Sequence, residues 1–103
     1  MKVNIYGTDW MLKLVEPNAA VLSCGGGFAA GSTYQYTREI FISNGLNKDL
    51  MKETIAHELT HAVIDQMAFG KDPWAQEEVC RFMEKYARDI LILTDKVYEE
   101  VLK

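Results

Sequence analysis

Residues 55–63 read IAHELTHAV and contain both histidines of the chain, His57 and His61, four positions apart. Glu58 directly follows the first histidine, so the stretch carries the pattern H-E-x-x-H. On an α-helix, residues four apart differ by about 40° around the axis and about 6 Å along it, which points both imidazoles out of one face. Two imidazole nitrogens can then converge on one cation. We therefore predict a metal site on a helix through this stretch.

The flanking residues predict that helix over residues 48–69. Asn47 is placed to accept a backbone N–H as its N-cap, and Gly70 to end it in a left-handed conformation. Apolar residues recur at helical spacing along one side: Met51, Ile55, Leu59, Ala62 and Val63. We expect this side of the helix to be buried.

A second amphipathic helix is predicted over residues 73–100. Asp72 and Pro73 offer an N-cap and a first-turn proline. Apolar residues then repeat every three or four positions, at Val79, Met83, Tyr86, Ile90, Leu93, Val97 and Val101. This stripe is long enough to cover a small sheet and to pack on the first helix.

The first 43 residues carry strand signals. Val3 and Ile5 alternate with polar neighbours, residues 10–15 are rich in apolar side chains, and residues 38–43 read REIFIS. The glycine-rich stretch CGGGF at 24–28 has neither the G-K-[ST] ending nor the following helix of a phosphate loop, so we expect a turn there.

Strands that precede both helices indicate an α+β fold, because such strands can only pair among themselves, largely as hairpins. We expect a small twisted sheet, antiparallel or mixed, from residues 2–43. It should pack on the active-site helix (48–69) and on the long C-terminal helix (73–100). A chain of 103 residues is the size of a single domain, residues 1–103.

The net charge of -4 and the pI of about 5.1 argue against a nucleic-acid partner, since no basic patch is available for phosphates. The N-terminus has no apolar run of signal-peptide length, and no stretch reaches the roughly 18 apolar residues of a membrane span. We expect a soluble cytoplasmic protein without a membrane partner, whose two cysteines, Cys24 and Cys80, are reduced.

Glu58 lies about 60° around the helix from His61, beside the expected ion but directed away from it. That is the position of a general base that takes a proton from metal-bound water. Zinc is the metal this arrangement suits, because it accepts imidazole and carboxylate tetrahedrally and a catalytic site keeps three protein ligands.

The third ligand cannot be another histidine, because the chain has none left. Asp65 lies about 12 Å beyond His57 along the helix axis, too far to share the ion. Cys24 lies in a glycine-rich turn that nothing ties to this helix. Glu77 and Glu78, near the start of the second helix, remain, and helical periodicity does not choose between them.

HELTH at 57–61, followed by a helix that begins with glutamates, resembles the gluzincin metallopeptidases. More narrowly, residues 31–43 with their I-F-I strand, then HELTHA, then WAQEEVCRF at 74–82 resemble the small ImmA/IrrE-like zincins, including short phage- and prophage-encoded members. The resemblance covers about residues 28–98. The H-E-x-x-H extension of metzincins is missing, since Ile64 and Met67 occupy its glycine and third histidine positions.

The resemblance implies a zincin-like fold, zinc as cofactor, and a peptide or protein substrate lying along an edge strand within residues 28–43. In this family the third ligand is a glutamate three positions before a small residue, which matches Glu77 with Cys80 and does not match Glu78 with Arg81. Arg81 also stands where thermolysin-like enzymes carry a supporting acid, four positions after the ligand.

The group that would stabilise the oxyanion besides zinc is open. Tyr34 and Tyr36 are conceivable, but for both we favour an aromatic side chain that packs on the sheet.

Two functions fit these features. The first is a zinc metallopeptidase with His57, His61 and Glu77 as ligands and Glu58 as the catalytic base. The alternative is a zinc-binding, non-catalytic regulatory or protein-interaction domain, which a chain without a second lobe could be. Glu58 favours the peptidase, because a purely structural zinc site needs no base and is usually closed by a fourth ligand.

Overall fold

The computed structural model describes residues 1–67 and 76–103, except for the side chains of residues 76, 77, 80 and 84. Its helices are α1 (Lys48–Met67) and α2 (Gln76–Val101). Its strands are β1 (Lys2–Ile5), β2 (Thr8–Val15), β3 (Ser23–Cys24), β4 (Gly27–Phe28), β5 (Gly31–Tyr34) and β6 (Glu39–Ser43), with a short 3₁₀ helix at Ala20–Leu22.

The main sheet has four strands in the order β1-β2-β6-β5. β1 pairs with β2, and β5 with β6, in the antiparallel sense expected of hairpins, whereas β2 and β6 run parallel. The expected α+β fold is therefore confirmed, and its sheet is mixed. β5 lies at one edge of this sheet, which decides where the candidate site can form.

β3 and β4 form a separate two-stranded hairpin. Its two-residue turn is made by Gly25 and Gly26, whose φ angles are +54° and +87°. Such turns need left-handed backbone at both central positions, which glycine adopts without steric cost. The turn predicted for the glycine-rich stretch is thus confirmed.

One hydrophobic core lies between the main sheet and the helices. Alternate residues of the central strands point into it, including Trp10, Leu12 and Ile42, each at most 2% exposed. Ile55 and Leu59 of α1 are completely buried in the same cluster, as their helical spacing predicted. Each such side chain contributes about 1.5–3 kcal/mol through its burial. The apolar side of α1 therefore faces the core, and its opposite, free side is exposed in the part of the chain that the structure describes.

α2 differs from the prediction at its N-terminal end. Ile90 and Val97 are buried as expected, but Val79 and Met83 are 38% and 55% exposed, and Phe82 is buried at 2%. Phe82 lies about 100° around the helix from Met83. Its ring packs at 5.1 Å from that of Tyr86, which extends the core and buries a larger apolar surface than Met83 could.

Asn47 caps α1 as predicted, since its Oδ1 accepts a hydrogen bond from the Leu50 N–H at 2.9 Å. Gly70, Asp72 and Pro73, which were expected to end α1 and begin α2, lie outside the described residues. Neither of the helices described here combines the length and the apolar character that crossing a membrane requires.

Candidate metal centre

His57 and His61 lie on the free side of α1, on successive turns of the helix. Their Nε2 atoms face each other at 3.2 Å, and the ring planes are inclined by 72°. Two nitrogens bound tetrahedrally to zinc at about 2.0–2.1 Å would stand about 3.3 Å apart. The spacing of the two imidazole nitrogens therefore matches that of two corners of a zinc site.

Glu58 turns away from solvent, although both of its histidine neighbours in the motif are exposed. Its side chain is only 7% exposed, and its Oε2 lies 3.9 Å from His57 Nε2. Its Oε1 accepts a hydrogen bond from the Thr33 hydroxyl at 2.8 Å. The carboxylate is thus held between the edge strand and His57, with Oε1 engaged by Thr33 and Oε2 on the side of His57.

Gly31 permits this close approach of β5 to α1. A Cβ at this position would lie 2.9 Å from Glu58 Cγ, 2.9 Å from Thr54 Cγ2 and 3.1 Å from the Phe41 carbonyl oxygen. Real Cβ atoms essentially never lie within 3.0 Å of such neighbours, so an added side chain would force Glu58, Thr54 or the strand to shift. The absence of a side chain at Gly31 therefore sets the distance between Glu58 and the edge strand.

A groove with a volume of about 310 Å³ runs between the start of β5 and α1. His57, Glu58 and Thr54 line it, and Leu50 and Glu53 line it toward the start of the helix. The groove is open to solvent and adjoins the edge strand, so a chain lying along β5 would pass beside His57.

The outer edge of β5 offers backbone hydrogen-bonding groups. The Ser43 N–H donates to the Ala30 carbonyl at 2.8 Å, which makes these two residues a hydrogen-bonded pair of the antiparallel ladder. Because such pairs alternate along the ladder, the N–H and C=O groups of Gly31 and Thr33 point away from β6. The edge strand expected within residues 28–43 is therefore present next to the groove.

The predicted third ligand, Glu77, is the second residue of α2, and its side chain lies outside the described residues. Glu78 pairs with Arg81 through a 3.1 Å contact on the surface of α2. Among the side chains that are described, no third His, Cys, Asp or Glu joins His57 and His61 in a group that could hold a metal.

Neither of the two other ligands considered from the sequence forms a metal-binding group with the histidine pair among the described residues. Asp65 lines a different depression, which also contains Trp10, Gln66 and Arg38. Cys24 is an exposed free thiol on the small hairpin. The reduced state expected for both cysteines stays a prediction, and the Cys80 side chain lies outside the described part of the structure.

The two tyrosines behave differently. Tyr34 packs edge-on against Phe41, with 5.5 Å between ring centroids, and donates a hydrogen bond to the Val21 carbonyl at 2.7 Å. The prediction that Tyr34 packs on the sheet is confirmed. It is wrong for Tyr36, which is 95% exposed because it lies in the turn between β5 and β6, where no strand or helix of the described residues covers it.

Gly31 and Thr33 are the site residues that the sequence did not reveal. A β-branched residue with a hydroxyl is common in strands, and a glycine two positions before it suggests only a close approach of some neighbour. Their role depends on the 25-residue separation between Thr33 and Glu58 being closed by the fold. Only the alternation of β5, which places both residues on the side facing α1, could have suggested it.

Comparison of this chain with known proteins identifies no relative. No protein-family model matches the chain. No curated protein matches its sequence, and no solved structure matches its fold.

Proposed function

We propose that this chain is a zinc-dependent metallopeptidase of zincin-like architecture, with His57, His61 and Glu77 as metal ligands and Glu58 as catalytic base. The observation that carries the proposal is the 3.2 Å separation of the two Nε2 atoms, a distance suited to a shared zinc ion. The buried carboxylate beside them supports a catalytic rather than a structural role, because a structural zinc site has no use for a base.

An extended peptide is the substrate that the surroundings favour. The outward-facing backbone groups of Gly31 and Thr33 can pair with a peptide main chain, as in other cases where a peptide adds a strand to a sheet edge. A peptide in this position would run along the groove, with one side chain entering the space beside Leu50 and Glu53. Its scissile bond would then lie above His57 and Glu58.

Bound zinc would polarise the scissile carbonyl and acidify the attacking water. Glu58 is responsible for moving the proton. Since its Oε1 is engaged by Thr33, the oxygen on the side of His57, Oε2, accepts the proton while the water oxygen bonds to the carbonyl carbon. Glu58 then returns that proton to the amine nitrogen as the C–N bond breaks.

We propose Glu77 as the third ligand because of its position in α2. It lies in the first turn of that helix, at the spacing from Cys80 that the zincin resemblance requires. Glu78 is the weaker candidate, because its carboxylate is already paired with Arg81.

Replacing Glu58 with Gln tests the catalytic proposal. The amide keeps the size of the side chain but cannot accept the proton, so we expect peptide cleavage to fall by roughly 10²–10⁴-fold. Zinc content, measured by atomic emission on the purified protein, should not change, because Glu58 is not a ligand. The substrate probe is a library of quenched fluorescent peptides.

Wild-type protein that binds zinc but cleaves no peptide of the library would support the non-catalytic zinc-binding domain instead. Equal cleavage by wild type and Glu58→Gln would exclude Glu58 as the base.

A further inference from the structure

Thr33 connects the edge strand to the proposed base by its side chain. Its Oγ1 lies 2.8 Å from Glu58 Oε1 and 3.2 Å from the Glu58 carbonyl oxygen. A threonine hydroxyl has one proton to donate, and the carboxylate is both the nearer and the charged acceptor. The hydroxyl therefore donates to the side chain of Glu58.

This hydrogen bond restricts how Glu58 can turn. A carboxylate rotates easily about its last torsion, because this bond has only a broad two-fold preference. With Oε1 held by Thr33, Oε2 is directed toward His57, at 3.9 Å from its Nε2. Gly31 adds a steric restraint, since the strand already lies close to Glu58 Cγ.

The backbone of Thr33 faces outward at the same time. Thr33 is paired with Ile40 at a position of the ladder where its N–H and C=O do not bond to β6. One residue thus presents its main chain to a peptide on the edge and its side chain to the base.

We propose that Thr33 is a positioning residue that fixes Glu58 in the orientation for proton transfer and couples it to the strand on which the peptide binds. This inference rests on the proposed metallopeptidase function. The Thr33 side chain acts only through Glu58, so removing its hydroxyl should affect the chemical step and leave peptide affinity, which depends on the main chain, largely unchanged.

Replacing Thr33 with Val tests the role of the hydroxyl, because valine keeps the branched shape and the strand backbone. We expect kcat on the best library peptide to fall roughly tenfold to hundredfold through misplacement of the base. KM should stay within about twofold, since the main-chain contacts of the edge remain. Thr33→Ser restores the hydroxyl and should recover most of kcat.

Thr94→Val is the matched control. It removes another threonine hydroxyl with a defined acceptor, the Ile90 carbonyl at 2.7 Å, in α2 and away from the groove. Its kcat and KM should equal those of the wild type. A Thr33→Val enzyme with unchanged kcat would overturn the inference, as would a Thr33→Ser enzyme that is as impaired as Thr33→Val.

A double-mutant cycle on the metal-free protein tests the contact without activity. Thr33→Val should lower the urea midpoint of unfolding in the wild-type background, and by less than about half as much in a Glu58→Ala background, because the partner carboxylate is gone. Equal losses in the two backgrounds would overturn the inference. Thr94→Val should lower the urea midpoint by the same amount in the wild-type and Glu58→Ala backgrounds.

Failure of the proposed function would give a different experimental result from failure of the Thr33 inference. Zinc-loaded wild type that cleaves no peptide would remove the metallopeptidase and, with it, the role assigned to Thr33. Wild type that cleaves peptides while Thr33→Val matches it in kcat would remove only the role of Thr33.

Discussion

Gly31 is the single residue whose replacement should most directly disturb the site without removing a functional group. An alanine Cβ would lie 2.9 Å from both Glu58 Cγ and Thr54 Cγ2, with the Phe41 backbone on its third side. We expect Gly31→Ala to reduce the free energy of unfolding by about 1–3 kcal/mol, the usual cost of overpacking. Urea denaturation measures this loss.

Gly27→Ala is the control for that substitution. The nearest atom to its added Cβ is the Cys24 carbonyl oxygen at 3.9 Å, an ordinary contact, so the change should stay within about 0.5 kcal/mol of the wild type. Gly31→Ala with the stability of Gly27→Ala would show that β5 and α1 are not so closely packed.

At this scale the sequence predicted what depends on local spacing and missed what depends on the fold. Both histidines lie on one helix, so their four-residue spacing alone brings the two imidazoles together. The distance between the Nε2 atoms agrees with that expectation. Thr33 and Gly31 contribute from a strand, and their contacts with Glu58 exist only once β5 has been placed at the sheet edge.

Among the elements, α2 provides a direct test of the packing. Phe82 is buried and Met83 next to it is 55% exposed. We expect Phe82→Ala to cost about 3–5 kcal/mol of unfolding free energy and Met83→Ala less than about 1 kcal/mol. Chemical denaturation of both variants measures these losses. A larger loss for Met83→Ala than for Phe82→Ala would support the stripe predicted from the sequence instead.

Periodicity failed here for a physical reason. Phe82 and Met83 are adjacent and both apolar, so two helical stripes are compatible with the letters. The choice depends on the neighbouring side chains, and Tyr86 provides an aromatic contact for Phe82. Farther along α2, Ile90 and Leu91 form a second adjacent apolar pair, and there Ile90 is buried as predicted while Leu91 is 61% exposed. Val97 is also buried, as predicted.

The turn between β1 and β2 is tied to α2 by Tyr6. Its hydroxyl donates to Asp89 Oδ2, and its ring packs edge-on against Tyr86 at 6.0 Å. Partial burial, followed by the hydrogen bond and negative charge of Asp89, raises the pKa of Tyr6 to about 12.

This shift predicts a pH-dependent contribution to stability. A pKa above the unfolded value of about 10 means that the folded protein holds the phenol proton more tightly, so the contribution is complete below pH 10 and is lost as the pH rises toward 12. Tyr6→Phe should be less stable than wild type at pH 7, and the difference should shrink between pH 10 and 12. A difference that is constant over this range would contradict the bond to Asp89.

For the whole molecule, the order β1-β2-β6-β5 has the consequence that matters for function. It leaves β5 at an edge beside the free side of α1, so an open groove, two imidazoles and a buried carboxylate lie together. The α+β class followed from strands that precede helices, but this strand order could not be read from the sequence. The parallel pairing of β2 with β6 depends on contacts between distant residues.

The zinc affinity of the purified protein, measured by competition with a chelator, tests the central claim most directly. The wild type should bind one zinc ion per chain, Glu78→Ala should bind it equally well, and Glu77→Ala should lose at least roughly tenfold in affinity, because one of three ligands is gone. Loss of affinity in Glu78→Ala alone would transfer the third ligand to Glu78. A wild-type protein that takes up no zinc would contradict the account as a whole.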